Sequence, residues 1–162
     1  MNMVDNANSL QRQLTRVHVL LDSPVFNRDS AEDGPWKETF IELITLVHAI
    51  LLQAQQADKR VEFLKDVGVN GKIQDITSLV EWMYNRLPGL TADNIGQQTD
   101  NRLNRYFDQG TGYFANGSFF TGDFDNELAF FIDDQRVYLN RHLRRAIDEV
   151  EQSLNDVSRS TL

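Results

Sequence analysis

The chain has 162 residues, of which 41% are hydrophobic and 25% charged, and its net charge is −8. That is the length and balance of one globular domain, able to bury a core without covalent staples. The absence of cysteine excludes disulfide scaffolds, thiol catalysis and cysteine-ligated zinc, and an acidic surface argues against nucleic acid as a partner.

The opening stretch, Met1 to Gln13, has no basic segment followed by an apolar run, so it does not read as a secretion signal. The most apolar stretch, Phe40 to Leu52, is too short to cross a bilayer and contains Glu42 and His48. A soluble, cytoplasmic protein with no membrane association is the expectation. No repeat or linker divides it, so residues 1–162 read as one domain with flexible ends at 1–8 and 158–162.

In chain order, Leu10, Leu14, Val17 and Leu21 recur on one side of a first helix from about Ser9 to Asp22. Pro24 and the polar stretch 27–34 form a loop, and Pro35 at a first helical position opens a second helix. Its stripe of Phe40, Ile44, Val47 and Leu51 can run to about Lys65, with Gly68, Asn70 and Gly71 as the exit. Asp75 caps a third helix that buries Ile76, Leu79, Val80, Met83 and Leu87, and Pro88 with Gly89 stops it. Thr91 starts a weaker fourth helix through Leu103, Tyr106 and Phe107 to Gly110.

Asn116-Gly117, flanked by aromatic residues, predicts a β-hairpin over 112–122 turning at that pair, because a type I′ turn needs positive φ at both central positions. Strand alternation puts Tyr113 and Phe119, or Phe114 and Phe120, on opposite faces of the hairpin, so both faces are aromatic. Such a surface marks a candidate protein-binding patch. A fifth, long helix is predicted from about Asp125 to Val157, with Leu128, Ile132, Leu139, Leu143, Ile147, Val150 and Leu154 as its apolar stripe. The fold expected is therefore all-α, an antiparallel bundle of about five helices with a small hairpin inserted before the last.

Arg136 falls in the middle of the fifth stripe, and a permanent charge aimed at a core needs an acidic partner or a wet cavity. The second helix answers with His48 inside its own stripe and with Asp58 and Glu62 further along the same line. These four residues form a candidate buried polar cluster, in which Glu62 or Asp58 pairs with Arg136. Arg136, Arg141, Arg144 and Arg145 also fall within ten residues that contain no acid, leaving the rest of the chain at −12. That patch can meet an anion, or be neutralised by Asp148 and Glu149 at i,i+4.

Neither a metal-binding helix motif nor a nucleophile or phosphate-loop motif occurs, so no metal and no cofactor is expected. The segment Arg136-Val-Tyr-Leu-Asn-Arg-His142 is similar to the R-x(4–6)-H signature of HEPN ribonucleases. The resemblance covers the last predicted helix alone, and Arg12 with His18 shows the same spacing. It implies an all-α, dimeric, metal-independent ribonuclease with Arg136 and His142 as the cleaving pair. On one continuous helix those two side chains would stand about 120° apart.

Three functions follow from these residues. The first is a non-enzymatic protein-binding or accessory protein acting through Tyr113, Phe114, Phe119 and Phe120, its partner another protein or a second copy of the chain. The second is the ribonuclease. The third is a small-ligand-binding bundle using His48, Glu62 and Arg136.

Overall fold

The computed structural model describes residues 3–26, 36–91, 103–106, 110–113, 119–122, 128–132 and 135–160. They are mostly helical, with four α-helices and five short strands. Helix α1 (Met3–Leu21) starts earlier than its periodicity suggested and buries Leu14, Val17 and Leu21. A 3₁₀ turn at Pro24–Phe26 follows. Helix α2 (Trp36–Gln56) is the central element and packs against α1, against α3 (Ile76–Thr91) and against α4 (Arg145–Ser160). Phe40, Leu43, Ile44, Val47 and Ile50 along it are all fully buried. Covering α2 on several sides explains why its apolar residues are denser than a single stripe requires.

Helix α2 ends at Gln56, well short of Lys65. Lys59 N–H bonds the carbonyl of Ala54 (2.8 Å), Asp58 N–H bonds that of Gln55 (3.1 Å), and Asp58 has φ 60°. This is a Schellman stop with Asp58 in the left-handed position that glycine usually fills. Periodicity carried the helix too far because the terminator is an aspartate rather than a glycine. Asp58→Gly relieves the left-handed strain and is expected to raise stability by about 0.5–1 kcal/mol, measurable by thermal or urea denaturation.

The connecting segment 57–75 is tied down at its far end. The Arg60 guanidinium bonds both carboxylate oxygens of Asp75 at 2.9 Å, and Asp75 Oδ1 accepts the Ser78 N–H, capping α3 as expected. Burial by itself would push the Asp75 carboxyl up. The hydrogen bonds from Arg60 and Ser78 outweigh it and hold the group below the usual carboxylate range. Val61 and Ile73 are buried along the segment, and Thr77 Oγ1 donates to the Val61 carbonyl. Asp75→Asn keeps the capping oxygen but loses the charge, and should cost about 1–2 kcal/mol in denaturation experiments. Helix α3 does not stop at Pro88, which lies inside it; the proline forfeits its own helical hydrogen bond to the Tyr84 carbonyl, and the helix continues to Thr91.

After α3 the structure departs from an all-α plan. Leu103–Tyr106, expected in a fourth helix, is strand β1; it pairs antiparallel with β4 (Ala129–Ile132), which pairs antiparallel with β5 (Gln135–Tyr138). Strands β2 (Gly110–Tyr113) and β3 (Phe119–Gly122) form a separate two-stranded sheet, the expected hairpin. A two-residue loop at Asn116-Gly117 would pair Tyr113 with Phe120, whereas Tyr113 pairs with Phe119. The turn itself and Phe114 lie outside the described residues.

The long fifth helix is likewise corrected. Its first part is the β4–β5 hairpin, its middle a π-helical turn at Leu139–Arg144, and only its end is α4. Leu128, Ile132 and Leu139, four and seven positions apart, fit a helical period, and the first two also fit a strand's period of two. Phe130 and Phe131 decide against the helix, since all four residues of β4 are buried. Two-sided burial of a short β-branched and aromatic run is what a covered strand shows. One face, with Phe130, Ile132 and Val137, joins the main core; the other carries a small cluster of Ala129, Phe131 and Tyr138.

Candidate functional site

The end of β5 and the π turn place the distinctive side chains. Leu139 N–H bonds the Leu128 carbonyl across to β4 (3.0 Å), so by antiparallel alternation the N–H of Tyr138 points away from β4. His142, one turn later, reaches back and accepts that N–H at its Nδ1 (3.0 Å). Its Nε2 then carries the proton and donates to the Lys65 carbonyl (3.0 Å), fastening the 57–75 segment to the strand. His142 is fully buried. Burial, reinforced by the nearby Arg136 and Arg141 and opposed by the Lys65 carbonyl and Asp66, pushes its pKa down to about 4. At neutral pH it is a neutral imidazole with both nitrogens engaged by the main chain.

Cations and rings alternate around it. The Phe63 ring lies 6.2 Å from that of His142, with the Arg145 guanidinium 4.0 Å over Phe63. The Tyr138 ring lies 5.2 Å from His142, with the guanidiniums of Arg136 and Arg141 at 4.8 and 4.9 Å. Asp66, at φ 62°, turns its carbonyl to Arg136 Nη2 (3.4 Å) and its carboxylate to Arg141 (3.5 Å). Arg136 and His142 therefore both meet Tyr138, which one unbroken helix would not allow. The strand ending at Tyr138 and the wider π turn bring them there, and π turns inside helices recur at functional positions.

The other expected contacts fall elsewhere. Among the described residues Arg136 makes no ion pair with Glu62 or Asp58; both of those are exposed and lie beyond the end of α2. His48 stacks on Tyr84 of α3 with ring centroids 4.0 Å apart, and burial lowers its pKa while Glu81 opposes the shift. His18 pairs with Glu151, so the three histidines occupy separate environments. No group of three or more metal-ligating side chains occurs among the described residues. Arg145 does pair with Glu149 (3.0 Å). Arg144 instead bonds Asn140, the Leu21 carbonyl and Asp22, tying the end of α1 to the π turn. Of the aromatic hairpin residues, Tyr113, Phe119 and Phe120 lie on β2 and β3.

Sequence reasoning missed Asp66, Phe63 and the role of Tyr138. A period of two was the only usable signal, since it places Tyr138 on the same side as Arg136. Between α1 and the start of α2, an open groove of about 810 Å³ is lined by Thr15, Arg16, Val19, Asp22, Thr39 and Glu42 among others. Its Arg16 and Glu42 neutralise each other at 2.7 Å. Among the described residues no helix is long and apolar enough to cross a membrane.

No family model, no curated protein and no solved structure matches this chain.

Proposed function

We propose that this chain is a non-enzymatic protein-binding module that engages its partner through the β2–β3 hairpin. The supporting observation is that, among the described residues, β2 and β3 pair only with each other and not with the three-stranded sheet. A two-stranded sheet standing alone is marginal in water and offers unpaired backbone edges to an incoming strand. Tyr113, Phe119 and Phe120 on these strands, with Phe114 beside them in sequence, supply the apolar contacts such a partner needs. The partner is another protein or a second copy of this chain.

The ribonuclease alternative draws on the meeting of Arg136 and His142 at Tyr138. What weighs against it is that His142 has no free nitrogen to move a proton. Incubation of the full chain with mixed-sequence single-stranded RNA, without metal, separates the two. Intact RNA, together with a stoichiometric partner complex lost on Phe119→Ser or Phe120→Ser, is expected. RNA cleavage abolished by both His142→Ala and Arg136→Ala would replace the binding module with the ribonuclease.

A further inference from the structure

Residues 64–72 form a lightly attached loop on a closed neck. Within the 57–75 segment Val61, Ile73 and Asp75 are buried, whereas in 64–72 only Val67 is even half-buried, and Leu64 and Val69 are exposed. Three bonds draw the neck together. Ile76 N–H bonds the Phe63 carbonyl (3.1 Å), the Thr77 hydroxyl bonds that of Val61 (2.6 Å), and Arg60 bonds Asp75 (2.9 Å). A short loop with joined ends and few buried contacts opens locally at less cost than the helices it rests on.

Beyond the neck the loop lies beside β5, which among the described residues is an end strand of the three-stranded sheet. Gln135 approaches Gly68 so closely that a Cβ there would stand 3.1 Å from Gln135 Oε1, and Asp66 faces Arg136 and Arg141. His142 joins the two backbones directly, with Tyr138 N–H on one side of its ring and the Lys65 carbonyl on the other. Covering by a loop is one way in which a strand edge is blunted.

We propose that residues 64–72 are an acid-released flap over the outer edge of β5, with His142 as its latch. Only the neutral ring accepts Tyr138 N–H at Nδ1 while donating to the Lys65 carbonyl from Nε2. A second proton turns the acceptor into a donor, so two N–H groups face each other and the ring is driven from between flap and strand. The charges around it do not hold a cation in place. Arg136 on β5 and Arg141 in the π turn oppose the added proton, Asp66 on the loop favours it, and Arg145 of α4 reaches the ring only through Phe63. The neck stays shut meanwhile. Two of its bonds involve no titrating group, and Arg60 with Ser78 keeps the Asp75 carboxyl ionised to below the usual carboxylate range. Release is therefore local, a swing about the neck that uncovers the β5 edge and leaves the helical core assembled.

The flap is independent of the hairpin and is tested in the full ¹⁵N-labelled chain. Amide exchange is followed from pH 7 to 4.5 and corrected for the intrinsic rate. The released ring regains its ordinary proton affinity of 6.5, against about 4 when latched. The opening that exposes Tyr138 N–H is thus expected to grow about tenfold for each pH unit across that window. The amide of Val47, fully buried in α2, should stay about a hundredfold or more better protected than that of Tyr138 throughout. Relaxation of ¹⁵N should show residues 64–72 gaining motion at pH 4.5 while α2 and α3 do not. His142→Gln supplies a donor and an acceptor but cannot titrate, and should flatten the Tyr138 slope; if that variant is not folded, the comparison of Tyr138 with Val47 in the starting chain decides. Tyr138 protection that ignores pH, that fails together with Val47, or that keeps its slope in a folded His142→Gln overturns the proposal.

Discussion

Phe130→Ala is expected to remove about 3–5 kcal/mol of stability, enough to unfold a domain of ordinary stability at modest urea concentrations. Phe130 is fully buried on the core face of β4. Its ring stacks on Phe40 of α2 at 4.2 Å, tilts against Trp36 at 5.9 Å and meets the edge of Phe26 at 5.4 Å. One side chain thus joins the three-stranded sheet to the start of α2 and to the turn after α1. Truncation leaves a cavity bounded by three rigid aromatic groups that cannot collapse into it. The check is equilibrium urea denaturation; a loss under about 1 kcal/mol would mean that Phe130 does not occupy this junction.

The second large effect is one of pH. Because the folded pKa of His142 is about 4, below the ordinary value of 6.5, the unfolded chain binds a proton between those values that the folded chain does not. The stabilisation is therefore complete above about pH 6.5, is lost as the pH falls toward 4, and does not change further below that. The shift corresponds to about 3 kcal/mol from this one side chain. Protonation puts a hydrogen on Nδ1, the atom that accepts Tyr138 N–H, so the ring must leave its place or lose that bond. Denaturation midpoints measured from pH 7.5 to 4 test this by comparing the starting chain with His142→Gln. The variant is less stable at neutral pH, and its stability should fall less steeply across the window. Parallel curves for the two proteins would show that His142 is not the titrating group.

The helices that the sequence made legible are those built on local rules. The stripe of α1, the core of α2 and the Asp75 cap of α3 all depend on neighbours within a few positions. What escaped was decided by distant partners. Leu128, Ile132 and Leu139 fit a helical period, and only contact of β4 with β1 on one side and β5 on the other selects the strand. That choice relocates Arg136. On a helix it sits in the middle of an apolar stripe, whereas on a strand it falls beside Tyr138 on the face opposite Val137. The search for a carboxylate on α2 followed from the helical picture, and the partner that exists, Asp66, lies 70 positions away on a segment with no periodicity to mark it. The cationic character of the region was legible in the arginine spacing alone; the rings that organise it were not.

Tyr106 and Ala129 sit opposite each other at the end of the β1–β4 ladder, so the chain leaves the three-stranded sheet and returns to it at neighbouring points. The two-stranded sheet is carried on that excursion. In chain-entropy language, residues 107–127 are a closed detour, and the ladder bears the cost of bringing its ends together. Replacing them by a four-residue turn reduces that cost by about 1.5 kcal/mol. The detour can therefore be lengthened, shortened or exchanged by insertion and deletion while the ladder that frames it stays the same.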